Sequence, residues 1–156
     1  LVVMNEDVEA YDRQTYSFSD LQIIVSILKG QELGLDVGAF SAKVCTHLGI
    51  EKGEININFV SVDTMISVNR SYLGHDYLTD VITFNLGSEF LPNADVYISL
   101  DQAQSNADMY QQSLLDEVKL LVIHAFLHLL GYEDQSDQGR LRMRKREQDV
   151  LGALGE

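Results

Sequence analysis

Two spacings of apolar positions alternate along this chain, and the places where one gives way to the other mark its elements. Ile55, Ile57 and Phe59 alternate with Asn56, Asn58 and Val60, the period of a half-buried strand that Gly53 introduces and Ser61 extends. Asp63 then stands where a helix cap is needed, with a helix predicted to about Leu73. Val81 to Phe84 and Val96 to Leu100 are β-branched or aromatic runs bounded by turn residues, so both read as strands. The stretch Gly87 to Asn93, which holds the single proline Pro92, reads as the loop between them. Nearer the start, Ser19-Asp20 offers an N-cap to the apolar run from Leu21 to Ile24, and Val37 to Leu48 is helical in pattern until Gly49 stops it. Two short helices are therefore expected there, preceded by a strand over Leu1 to Met4 and an irregular stretch from Glu6 to Tyr16. After Leu100 only helices follow. Strands interspersed with helices early and helices alone late predict a small sheet packed against a helical layer, an α+β or three-layer fold.

One helix carries chemistry. From Leu120 to Leu130 nine of eleven positions are apolar, and the polar ones are His124 and His128. A helix of that composition is buried nearly all round. Residues four apart share a helix face, roughly 5–6 Å between Cβ atoms, so both imidazoles can aim at one spot. An imidazole buried without a partner costs about 1–3 kcal/mol, and desolvation keeps it neutral, the state that binds metal. A divalent cation offsets both costs, and histidines at i and i+4 are a common ligand spacing. The plainer alternative is a pair of core histidines bonded to carbonyls or tyrosines. Gly131 can end the helix in a left-handed cap and turn Tyr132, Glu133 and Asp134 back toward the same end. Asp134, six residues after His128, is the third ligand selected, with Glu133 and Asp137 as weaker alternatives that could equally be solvated acids. Three protein ligands and an open position are the pattern of a catalytic centre.

Composition narrows the setting. The 156 residues are 46% hydrophobic and 22% charged, which fits one domain over 1–156 and neither a disordered nor a fibrous chain. The Leu120 to Leu130 run is about half of what a bilayer crossing needs, so no membrane association is expected. Cys45 is the only cysteine, and no basic start followed by an apolar stretch reads as a signal peptide, which makes a reducing cytoplasm the expected compartment. Eleven basic against 24 acidic residues give a formal charge of −13, which repels polyanions at long range. Arg140, Arg142, Arg144, Lys145 and Arg146 are the local exception. Arg140 with Arg144, and Arg142 with Arg146, are i and i+4 pairs on a predicted final helix: either a positive patch or a solvated face beside Glu147 and Asp149.

The run His124-Ala125-Phe126-Leu127-His128-Leu129-Leu130-Gly131-Tyr132-Glu133-Asp134 resembles the His-Gly-x-Leu-His-Leu-x-Gly-Tyr-Asp-His signature of the YbeY family of bacterial endoribonucleases. Val68-Asn69-Arg70-Ser71-Tyr72-Leu73-Gly74-His75-Asp76 and Thr79-Asp80-Val81-Ile82-Thr83-Phe84 are similar to its Leu-Asn-x-x-Tyr-Arg-x-x-Asp and Pro-Thr-Asp-Val-Leu-Ser-Phe blocks. Ala94 to Ser99 matches its Gly-Asp-Ile-x-Ile-Ser strand, and Met143 to Leu151 its closing Met-x-x-x-Glu helix. The similarity runs in order from about Ile55 to Leu151. It implies a single α+β domain with a small mixed sheet and a metal-dependent hydrolase, usually assigned zinc. It also implies cleavage of single-stranded RNA, in ribosomal RNA maturation and ribosome quality control, with the ribosome or ribosomal proteins as partners.

Three departures bear on the chemistry. The family's third histidine falls on Asp134; a carboxylate there lowers the formal charge of the site by one, which makes bound water less acidic and harder metals better tolerated. Two histidines and a carboxylate also serve non-haem iron. The family's arginine falls on Leu73, which removes a phosphate-binding cation; Arg70, one helical turn earlier, and His75 are the candidate substitutes. Ala125 stands for glycine, at the position where a His-Glu-x-x-His metalloprotease carries its general base, and alanine cannot accept a proton. Glu133, beside the third ligand, is a candidate proton acceptor, with a plain surface acid as the alternative. The competing functions are a metal-dependent hydrolase of another substrate and a noncatalytic ribosome-associated protein with a structural metal.

Overall fold

The computed structural model describes residues 10–74 and 78–155. The strand expected over Leu1 to Met4 and the candidate His75 lie outside them. Strands β1 (Tyr11–Phe18) and β2 (Leu21–Leu28) form an antiparallel hairpin in which Phe18 pairs with Leu21. Two expectations are corrected here. Ser19 and Asp20 form the two-residue turn, with Ser19 in the left-handed region at φ 57°, and cap no helix. Short polar side chains that suit a cap suit a tight turn as well, and the β-branched Ile23, Ile24, Val25 and Ile27 favour extended backbone. From Tyr11 onward the stretch expected to be irregular is strand β1; it lies at the sheet edge, where Tyr11 is its one buried residue, so it shows no apolar period.

Helix α1 (Val37–Leu48) begins at the Asp36 side chain, which accepts the Ala39 N–H, and ends at Gly49 as expected. Strand β3 (Gly53–Val60) follows, with both faces buried from Ile57 onward; Asn58 satisfies its amide on the Val96 carbonyl at 3.1 Å. Helix α2 (Val62–Val68) is capped by Ser61, whose Oγ accepts the Thr64 N–H, while Asp63 stands in its first turn. The expected helix to Leu73 is α-helical only to Val68, and Asn69–Leu73 is a π-helical turn. Strands β4 (Val81–Asn85) and β5 (Asn93–Ser99) are joined by the expected loop, and α3 (Leu100–Met109), α4 (Leu114–Leu129) and α5 (Asp137–Ala153) complete the order. No helix among the described residues is long and apolar enough to cross a membrane.

The five strands form one mixed sheet in the order β1-β2-β3-β5-β4, with β2, β3 and β5 parallel and the two outer strands antiparallel. The fold is α+β, as expected. One face carries Ile23, Ile55, Ile57 and Val96 against Val44 of α1 and Val122 and Phe126 of α4. The other carries Ile82 and Tyr97 against Met65 and Val68 of α2. Helix α4 is thereby enclosed by α1, α3, α5 and β4. Among the described residues no strand pairs with the outer edge of β4. Ser99 N–H donates to Asp80 O and Leu86 N–H to Asn93 O, so even-numbered residues of β4 pair with β5, and Thr83 and Asn85 turn their backbone groups outward.

Candidate metal centre

Ser113 Oγ accepts the Asp116 N–H at the start of α4, and Asp116 and Glu117 in its first turn complement the helix dipole. At the far end Gly131 N–H donates to His128 O and Tyr132 N–H to Leu127 O, a Schellman ending with Gly131 at φ 93°. A side chain at Gly131 would meet the left-handed strain and also the Glu89 carboxylate packed over it. The reversal swings the next residues back over the last turn of α4, onto the side where both histidines project.

Three donor atoms meet there. His124 Nε2 and His128 Nε2 are 3.0 Å apart, and Asp134 Oδ2 lies 3.2 Å from the first and 3.4 Å from the second. The outward nitrogens are both occupied: His124 Nδ1 meets Glu147 Oε2 at 2.8 Å and His128 Nδ1 meets the Tyr132 carbonyl at 3.0 Å. Each acceptor requires a proton on Nδ1, which leaves each neutral ring a lone pair on Nε2. Two lone pairs and a carboxylate oxygen in mutual contact repel unless a proton or a cation lies among them. Donors about 2.0–2.1 Å from a tetrahedral ion are about 3.3 Å apart, so the triangle fits such an ion without rearrangement. Among the described residues no fourth histidine, cysteine or carboxylate joins the group. Burial works against the charged form of His124, but the hydrogen bond and charge of Glu147, with Asp134 and Asp80, outweigh it and raise its pKa.

The other candidates are elsewhere. Glu133 is exposed and accepts Ser136 Oγ at 2.7 Å, and its pKa is lowered chiefly by that bond. It closes the start of α5 over Gly139, where a Cβ would collide with its carboxylate. Asp137 is paired with Arg140 in the first turn of α5. Arg140 also donates to the carbonyls of Asp134 (3.3 Å) and Gln135 (3.2 Å), so this arginine clamps the loop that carries the third donor. Arg142, Arg144 and Lys145 are exposed on α5. Arg70 is exposed on the π-helical turn, whereas Leu73 faces the donors across a cleft.

Two cavities open onto the triangle. One, about 790 Å³, lies between α3, α4 and α5 and is lined by Asp80, Glu117, Glu147, Arg140 and Arg144, with His124 and Asp134 at its end. Asn106 Nδ2 bridges Asp80 Oδ2 and Glu117 Oε2 there, 3.0 Å to each, and Gln112 donates to Glu117 Oε1 at 2.7 Å. Burial raises the Glu117 pKa most, opposed by the Asn106 bond. The other, about 530 Å³, runs between α4 and β4 and touches all three donor residues.

The spacing of the histidines and the turn at Gly131 were sufficient to find the triangle. Glu147 lies 23 residues from His124, and the resemblance marks it only as the glutamate of the closing Met-x-x-x-Glu helix, with nothing local to pair it with that histidine. The Asp80–Asn106–Glu117 network is not legible as a network: Asp80 stands out only within the Thr79 to Phe84 block, and its partners come from two other elements.

The family model described as endoribonuclease YbeY matches residues 28–155. A protein of that name from Porphyromonas gingivalis is 38% identical over 120 residues, 77% of this chain and 80% of that one. The one from Chlorobaculum tepidum is 33% identical over 142 residues, 91% of this chain and 92% of its own. A Thermotoga maritima protein, solved in solution, is similar in structure with a TM-score of 0.57 at 26% identity, over 83% of this chain and 91% of that one.

Proposed function

The chain belongs to the endoribonuclease YbeY family, and from that membership and the donor triangle we propose that it is a metal-dependent endoribonuclease acting on single-stranded RNA in ribosomal RNA maturation. His124, His128 and Asp134 hold one divalent ion, zinc by preference, in a single-domain protein of the cytoplasm that meets its RNA at the ribosome. The observation that carries this reading is the convergence of three donors, two of them histidines whose outward nitrogens are already bonded, beside a cleft open to a polymer.

When bound, such an ion supplies Lewis acidity toward a phosphoryl oxygen and a nucleophile at neutral pH. The protein's part is to prepare the donors. Glu147 and the Tyr132 carbonyl hold the Nδ1 protons, orient both rings and keep both Nε2 lone pairs on one point. Asp134 adds the negative charge that a third imidazole would lack and extends the tolerated metals toward harder ions. Three donors with no fourth among the described residues support catalysis over a purely structural metal. Arg144, exposed and lining the larger cavity, is a local cation against the bulk charge of −13.

Metal analysis paired with cleavage of a short single-stranded RNA tests the reading. Wild type should carry one divalent ion per chain and cut the RNA; His128→Ala should lose both while keeping its circular dichroism spectrum. Cleavage that survives in His128→Ala, or in wild type stripped of metal, overturns it.

A further inference from the structure

The cleft that reaches all three donors is unlike on its two sides. One wall presents His124, His128 and Asp134; the opposite wall, built from the π-helical turn and β4, presents Leu73 and Phe84. Beside that wall stands Tyr72, 44% exposed, its ring edge-on to Phe84 with centroids 5.5 Å apart and planes at 66°. Phe84 is braced in the same way by the buried Tyr97, at 6.3 Å and 75°. An edge-to-face series anchored in the core holds its outer ring, so the exposed part of Tyr72 is a fixed aromatic surface. Between the walls runs the open edge of β4, along which Thr83 and Asn85 turn N–H and C=O groups away from β5.

No lysine or arginine lines this cleft among the described residues, and Leu73, 45% exposed, occupies the position of the family's arginine. An apolar and aromatic wall is a poor seat for phosphate. Together with a row of free backbone donors and acceptors, it matches a flat ring with a polar edge, and a volume of about 530 Å³ is ample for one. An extended peptide added to the β4 edge is the competing occupant. The brevity of that five-residue strand and the exposed ring beside it favour a base.

We propose that the cleft between α4 and the open edge of β4 is a nucleobase subsite. With a substrate phosphate at the donor triangle, one neighbouring unpaired base lies against Tyr72 and bonds by its edge to the backbone of Thr83 and Asn85. This rests on the RNA-cleaving reading above and gives that reading a basis for single-strand selectivity: a paired base has neither a free face nor a free edge.

The test uses the metal-loaded protein and single-stranded RNA oligonucleotides carrying one abasic ribose at successive positions around the cut. One abasic position should lower wild-type kcat/KM by about tenfold or more, the scale of a lost base stack. Tyr72→Leu, which keeps apolar bulk against Phe84, should show that loss on intact RNA and no further loss on that abasic RNA, while Tyr72→Phe behaves as wild type. Equal abasic penalties in Tyr72→Leu and wild type overturn the subsite, as does the absence of any sensitive position, or competition for the cleft by an extended peptide but not by mononucleosides. A metal-loaded wild type that cuts no RNA overturns both readings; one that cuts without this coupling overturns the subsite alone.

Discussion

The two cavities that meet at His124 and Asp134 are built on opposite principles. The one between α3, α4 and α5 gathers carboxylates and ties them together with amides: Asn106 joins Asp80 to Glu117, Gln112 holds the far oxygen of Glu117, and Glu147 grips His124. The one between α4 and β4 has few charges, an aromatic wall and unpaired strand backbone. A wall of bonded carboxylates repels a polyanion and leaves few polar groups free to greet one. It suits the work of holding a ligand ring and its proton in place. The opposite cleft leaves its polar groups unspent, which is what a surface that receives a substrate needs. The difference teaches that the triangle is supported from one side and served from the other.

The largest effect should come from removing a donor both cavities share. Asp134→Ala should weaken zinc binding by more than about 100-fold in a chelator competition, because two ligands remain of three. Asp134→His should keep binding within about tenfold, since imidazole suits the same ion. Equal losses in both would mean that position 134 only shapes the loop. Next comes support from the larger cavity alone: Glu147→Ala should weaken metal binding by about 10- to 100-fold, and Glu147→Gln by less, because its amide oxygen still accepts the Nδ1 proton. Unchanged affinity in Glu147→Ala would dissolve the contrast between a supporting and a receiving side.

The smallest effect concerns the charge buried in the supporting wall. The Glu117 carboxyl has a raised pKa in the folded state, mainly through burial, so the folded protein binds its proton more tightly than the unfolded chain. Stability is therefore lost as pH rises from the unfolded value near 4.5 through the folded one. Glu117→Gln removes that slope. Urea unfolding should show the variant gaining on wild type between pH 4.5 and 7, and a gain toward acid instead would mean that the ionised form is the favoured one.

How much of this was legible depended on distance along the chain. The triangle was readable because its three residues lie within one helix and the turn that ends it, where fixed geometry converts spacing into position. The β-branched pattern gave β3, β4 and β5 for the same reason. The hairpin of β1 and β2 departs from the expected helix because Ser19 and Asp20 satisfy two local rules at once and only pairing with β3 decides between them. Glu147, the bridge at Asn106 and the approach of Leu73 to the donors all require α5, α3 and the π-helical turn to be in place. No local pattern contains that information.

The Schellman turn at Gly131 has a consequence for the order of assembly. It confines the triangle to an eleven-residue stretch from His124 to Asp134, a loop whose closure costs little chain entropy. Such a ring can close as soon as α4 has wound and turned, ahead of the long-range strand pairings that are slower to form. Capture of an ion by these donors would thus be a short-range event in folding, with the remainder of the molecule arriving to give it selectivity.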